Sequence, residues 1–392
     1  MKKAIIAILI YFLVLHVFLP AIYYIIYGFT PVYSDLVDFP ALIKSFVLLF
    51  IPLVLAIIIL FFIPTKNDKI KANIDGKPIT ILFYFSILLK LGLLMTMGGF
   101  EATITGEKNG TLVNYITLFL NPFTLLLTLL FVQKKKSNVL LAILFYVISV
   151  TLSGSRSGII TIFFVFFIGL AFETFKFYKG KLSIFLKCGI IIAPILFIFA
   201  TKLRGIDDFV GIDFIFNQIV GRMSVLETSM MPIYYYDNNI EMELFYDKYS
   251  VSHQFFLALD SIVPGQLFDF DIMPNNYYRA IFMEYSQSFV LENYMSVNLC
   301  LPTYLYLKYG YFTFLLTILY VIGFYKLTSL LKSYPLLVVV LLSAFYNVIY
   351  FFDWVMVFTQ IYTGILTVLV LKMFVFIRRE FIRNIKYNEL KN

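Results

Sequence analysis

The stretch 41–63 is apolar except for Lys44 and Ser45, and comparable runs fall at 4–27, 79–98, 111–132, 157–178, 182–201, 311–331, 334–351 and 356–377, with a shorter one at 137–152. A helix needs about 20 apolar residues to cross a bilayer, so the pattern predicts an all-α polytopic membrane protein of about ten transmembrane helices. Composition points the same way. Of 392 residues, 61% are hydrophobic and 14% charged, with a mean hydropathy of +0.89. Soluble domains run near 45–50% and ~25%, so a soluble enzyme, a disordered chain and a small disulfide scaffold are all excluded. Cys188 and Cys300 lie far apart in apolar surroundings and offer neither metal spacing nor a disulfide framework. The first run follows Lys2 and Lys3 like a signal peptide. It is too long for one, lacks a small-residue cleavage site and ends in Tyr23, Tyr24 and Tyr27, so it is expected to remain as a span.

The formal charge of +8 belongs to topology and not to nucleic acid. With the amino terminus inside, the inner segments hold nineteen basic residues, among them Lys134, Lys135, Lys136, Arg378, Arg379 and Arg383. The short outer loops hold two, Lys108 and Arg156. Both termini are therefore expected in the cytoplasm. The chain divides into helices 1–7 over 1–201, an outer segment over 202–298, and helices 8–10 with a cytoplasmic tail over 299–392. That outer segment carries thirteen Asp or Glu against five Lys or Arg, in a chain otherwise rich in cations. Stretches 209–226 and 251–262 within it read as amphipathic helices at the interface, punctuated by Pro232, Pro264, Gly265 and Pro274. A connection this long usually builds a site, the plainer alternative being a solvated acidic cap.

Only seven of the 31 basic residues are arginine. Three follow the last span, and the other four, Arg156, Arg204, Arg222 and Arg279, all fall on the outer side. Guanidinium groups bind phosphate oxygens bidentately and stay charged, which favours recognition of a diphosphate. Arg156 lies in Ser153-Gly154-Ser155-Arg156-Ser157-Gly158, between two apolar runs with almost no loop, where an idle charge is costly. Snorkelling to lipid head groups is the alternative for Arg156, and interfacial anchoring for Arg204. His253, in Ser252-His253-Gln254, is a candidate to take a proton from a sugar hydroxyl. Glu227, Asp260, Asp269 and Asp271 are further bases set among apolar residues, and the sequence does not choose among them. His16, in mid-span, reads as a helix-packing residue. Lys90, within the third run, either lines a polar interior or pairs with a phosphate, with snorkelling or helix pairing as equal alternatives. Twelve of the 29 tyrosines fall between 234 and 309, suited to an interface belt or to stacking on sugar rings. No GxGxxG, Walker loop or paired metal motif is present, so no cofactor, metal or nucleotide sugar is expected.

Taken in order, Ser-Gly-Ser-Arg156-Ser-Gly opening a helix, Lys-Leu-Arg204-Gly at the entrance to a large outer loop, Gly221-Arg222, Pro264-Gly265, and Ser296 and Asn298 before an aromatic run ending in Tyr309-Gly310 form a pattern over about 150–325. It resembles the O-antigen and capsule repeat-unit polymerases (Wzy-type), relatives of the O-antigen ligases. One position departs: many members carry Glu where this chain has Tyr304. The resemblance implies a GT-C-like glycosyltransferase of the bacterial inner membrane. Such an enzyme transfers a growing glycan from undecaprenyl diphosphate to the next lipid-linked repeat unit on the outer face. It implies Arg156, Arg204, Arg222 and Arg279 on the diphosphates, His253 or a nearby acid as base, and a flippase and a chain-length regulator as partners. Two alternatives stay open: a ligase transferring the chain to lipid A core, and a transporter of the same lipid, which predicts repeated halves that are not seen.

Overall fold

The computed structural model describes residues 1–27, 38–64, 76–96, 120–132, 136–152, 164, 220–221, 223–262, 274–293, 297 and 299–389. Among these the chain is helical, with no strand. Four helices are long and apolar enough to cross a membrane: α1 (Lys2–Tyr27), α2 (Phe39–Phe62), the continuous run Leu301–Leu330, and Trp354–Ile377. Between α2 and Leu301 come α3 (Gly76–Thr96), α4 (Pro122–Val132), α5 (Lys136–Leu152), α6 (Val225–Asp237), α7 (Glu243–Lys248), α8 (Val251–Ile262), α9 (Tyr278–Phe282) and α10 (Gln287–Asn293). The run Leu301–Leu330 comprises α11 (Leu301–Tyr309), a 3₁₀ turn Gly310–Phe312, and α12 (Thr313–Leu330); α13 (Pro335–Phe351) and α14 (Trp354–Glu389) follow.

The side chains that these helices leave exposed identify the solvent they face. The exposed large residues include Ile43, Val47, Ile51, Leu55, Ile58 and Phe62 on α2 and Ile361, Ile365, Leu369, Met373 and Phe376 on α14. Steps of three and four place each set on one face, where a helix in water would carry polar residues. An apolar outward stripe of this kind belongs in hydrocarbon, and the protein is built as a helical membrane protein. Six of the ten expected spans are not among the four, and two of these, 157–178 and 182–201, lie outside the described residues except for Phe164. The run at 137–152 corresponds to α5 and that at 334–351 to α13, each 17 residues and short of spanning length. The stretch 79–98 corresponds to α3, of 21 residues, and within 111–132 only α4, of 11 residues, is described. The run expected from 311 corresponds to α12 (Thr313–Leu330); α11 precedes it, with Pro302 in its first turn, where the missing N–H costs nothing, and ends at Gly310, whose φ of +58° and ψ of −138° are not helical.

Contacts group the chain into two units that do not follow its order: Met1–Lys69, Asp208–Leu330 and Leu341–Gln360 in one, and Ile70–Asp207, Leu331–Val340 and Ile361–Asn392 in the other. In the second unit α3, α4 and α5 pack on one another. In the first, α2 is central: α1, α6, α11 and α12 all pack on it. Lys2 Nζ donates to the carbonyls of Phe61 (2.9 Å) and Ile63 (3.1 Å), so α1 starts where α2 ends and the two form an antiparallel hairpin. A cation at a helix carboxyl terminus satisfies the carbonyls that the helix leaves unpaired.

Prolines explain two local departures from ideal helix. Pro20 offers no N–H to the carbonyl four residues back, at His16, and α1 widens into a π-helical turn over Leu13–Phe18. Pro232, inside α6, likewise frees the carbonyl of Thr228. That carbonyl accepts from Tyr278 Oη at 2.6 Å, and the fully buried Tyr278 thus ties α9 to α6. Tyr278→Phe is expected to leave the Thr228 carbonyl without this partner and to cost about 1–3 kcal/mol of stability, read as a lowered Tm of the detergent-solubilised protein. An unchanged Tm would mean that another donor replaces it.

Candidate functional site

The first unit packs α6 along α2, from the level of His16 in the middle of α1 to Lys44 near the start of α2. α6 is fixed there at both ends. At its start, His16 of α1 is fully buried, with Nδ1 2.8 Å from the Met223 carbonyl and Nε2 3.1 Å from Tyr346 Oη. A carbonyl only accepts, so Nδ1 carries the hydrogen and Nε2 is left to accept from the tyrosine. The ring stacks on Tyr350 at 4.0 Å, which agrees with a packing role. At its other end, Asp237 accepts from Lys44 Nζ at 2.7 Å on each oxygen and from Tyr306 Oη at 2.8 Å.

Around that ion pair the surface is aromatic. Lys44 Nζ lies 4.8 Å from the Tyr306 ring and 5.5 Å from the Tyr311 ring. Tyr236 and Tyr311 each meet Tyr306 edge to face, at 5.0 and 5.7 Å. Gly310, at φ +58° and ψ −138°, makes the turn that presents Tyr311, a conformation that only glycine adopts without strain. On the same helical run, Leu305, Tyr309, Phe312 and Leu316 line an apolar groove of about 640 Å³. Tyr304 is buried and stacks on Phe352 at 3.7 Å, so no acid occupies that position.

Within α6, Glu227 is 1% exposed and neither carboxylate oxygen has a hydrogen-bond partner among the described residues. Its local sequence is a capping box, but only half of it is made. Glu227 N–H donates to Ser224 Oγ at 3.3 Å, while Ser224 N–H donates to the Val220 carbonyl, so the Glu227 side chain is not drawn back. Burial without compensation pushes this carboxyl up to about 8. Two residues along, Ser229 forms a buried cluster with Thr303 and Cys300 in which Thr303 Oγ1 donates to Ser229 Oγ at 2.6 Å.

Of the residues singled out in the sequence, Arg156, Arg204 and Arg222 lie outside the described residues, as do Asp269 and Asp271. His253 stands in the first turn of α8, which matches the expected amphipathic stretch 251–262. It is half-buried, and its proton affinity is lowered by burial first and then by the Lys248 cation, against the pull of Asp247. Arg279 is on α9, its guanidinium 5.8 Å from the Tyr285 ring. Lys248 links the two neighbourhoods, lying 5.2 Å from the ring of Tyr277, two residues before Arg279. Among the described residues no three His, Cys, Asp or Glu are grouped to hold a metal ion. No known protein family, curated protein or solved structure matches the chain.

Proposed function

We propose that the protein is a lipid-linked glycan polymerase, and that the end of the bundle carrying Lys44 faces out of the cell. The reading is carried by one arrangement: an acidic, tyrosine-rich segment whose short helices pack against apolar spans and reach the end that carries Lys44, where a substrate with a lipid tail and a sugar head meets both of its solvents. The arginines supply the second support, since all four that precede the last span belong to the outer side by charge bias.

In this reaction an acceptor hydroxyl oxygen attacks the anomeric carbon of the growing chain. The bond from that carbon to the diphosphate oxygen breaks, and undecaprenyl diphosphate leaves with the electron pair. Arg156, Arg204, Arg222 and Arg279 hold the charge that develops there, and His253 takes the proton. Lowered proton affinity suits His253 to this role, because a base has to be neutral before it accepts. The flippase and the chain-length regulator are the partners such an enzyme works with.

Deleting the gene tests the reading. Surface polysaccharide should collapse from a ladder to one short band, because single repeat units are still made and exported. A full ladder accumulating on the lipid carrier would assign the protein to the ligases, and loss of every exported unit would assign it to lipid transport.

A further inference from the structure

We propose that Lys44, Asp237 and Tyr311 form a subsite for one sugar ring, with the ring lying on Tyr311 and its hydroxyls bonded to the ion pair. Tyr311 is 67% exposed although it stands beside a structured ion pair and lies nearly parallel to Phe314 at 6.5 Å, so much of its ring is accessible. Lys44 and Asp237 keep 25% and 34% of their side-chain surface accessible. Asp237 accepts from Lys44 on both oxygens and from Tyr306 on Oδ1, which leaves one lone pair, on Oδ2, able to accept from a hydroxyl.

Two other occupants of such a surface fit less well. Exposed tyrosine near a helix end is the usual bilayer anchor, and Phe312, 71% exposed on the same turn, is the neighbour whose wholly apolar side chain suits contact with lipid. A lipid phosphate needs uncompensated positive charge, whereas Lys44 is already held by a carboxylate at 2.7 Å on both oxygens and the pair is neutral. A neutral donor and acceptor set beside an accessible aromatic ring matches a molecule that is itself neutral, rich in hydroxyls and apolar on one face. A pyranose ring has that chemistry. The site stands on this geometry, and its assignment to the acceptor repeat unit rests on the polymerase reading.

The test uses the full chain in lipid nanodiscs and, as probe, the repeat-unit oligosaccharide released by mild acid from the lipid carrier of the producing strain, with binding followed by saturation-transfer NMR. Tyr311→Ala should weaken binding about tenfold with an unchanged Tm, and Tyr311→Phe, which keeps the ring, should bind within about twofold of the parent. Asp237→Asn should also lose affinity, and its lower Tm reports the separate loss of the clamp to Lys44. Parental binding by Tyr311→Ala, or no saturation transfer to the oligosaccharide from the parent protein, overturns the subsite. Tyr311-dependent binding in a protein whose deletion leaves the ladder intact upholds the subsite and removes the polymerase reading.

Discussion

Arg156→Lys is expected to lower chain lengthening at least about tenfold while the protein still inserts and accumulates, because the substitution keeps the charge and removes the bidentate fork. A diphosphate leaving group presents paired oxygens, and one ammonium cannot span them as a guanidinium does. The control is Arg383→Lys, beyond the last span at residues 354–377, where only positive charge matters for orientation and activity should be unchanged. Activity is read as the ladder restored to a deletion strain, with protein level measured in the membrane fraction. If Arg156→Lys restores a normal ladder, the arginine snorkels to head groups and the diphosphate is bound elsewhere.

What the sequence makes legible follows from how local each signal is. The alternation over 251–262 is read by a single helix face, and α8 occupies those residues. Apolar runs likewise mark α1, α2 and α14, since spanning is a property of consecutive residues. The extension back to Leu301 is less legible, because Pro302 and Gly310 both count as breaks: one sits in the first turn of α11, and the other caps α11 and leads through a 3₁₀ turn into α12. Pairings across the chain carry no local mark at all. Lys44 meets Asp237 across 193 positions, and His16 meets Met223 across 207. The sequence flags Lys44 only as a charge near a span end and His16 only as a polar residue within one. Pro232 gives the nearest thing to a long-range hint, since a proline inside a helix frees a known carbonyl. The donor that satisfies it, Tyr278, is one of twelve tyrosines between 234 and 309. Among the acids set in apolar sequence, burial separates Glu227 from Asp260, and that distinction exists only once α6 is packed on α2 and α11.

Glu227→Gln is expected to make the protein more stable, and only above a definite pH. α6 is not one of the four spans, yet it buries this carboxyl without a partner, so the folded state binds its proton more tightly than the unfolded chain does. With a folded value of about 8 against an ordinary 4.5, the favourable contribution of the protonated acid is complete below pH 4.5, declines as pH rises, and is gone above about 8. Each pH unit in that window is worth about 1.4 kcal/mol, so the full effect is on the order of a few kcal/mol. Asp353 is also raised by burial, to about 6, so its contribution of the same sign has ended by then. His253 is lowered from 6.5 and therefore acts below that pH, with the opposite sign. The interval from about 6.5 to 8 thus belongs to Glu227 among these groups. Thermal unfolding in detergent should show the parental Tm falling across this interval, and Glu227→Gln, which keeps the shape of the neutral acid, should show a flatter profile and a higher Tm at pH 8 and above. Equal slopes in the two proteins would mean that the carboxylate is compensated in the folded state, and that its charge is carried on α6 at little cost.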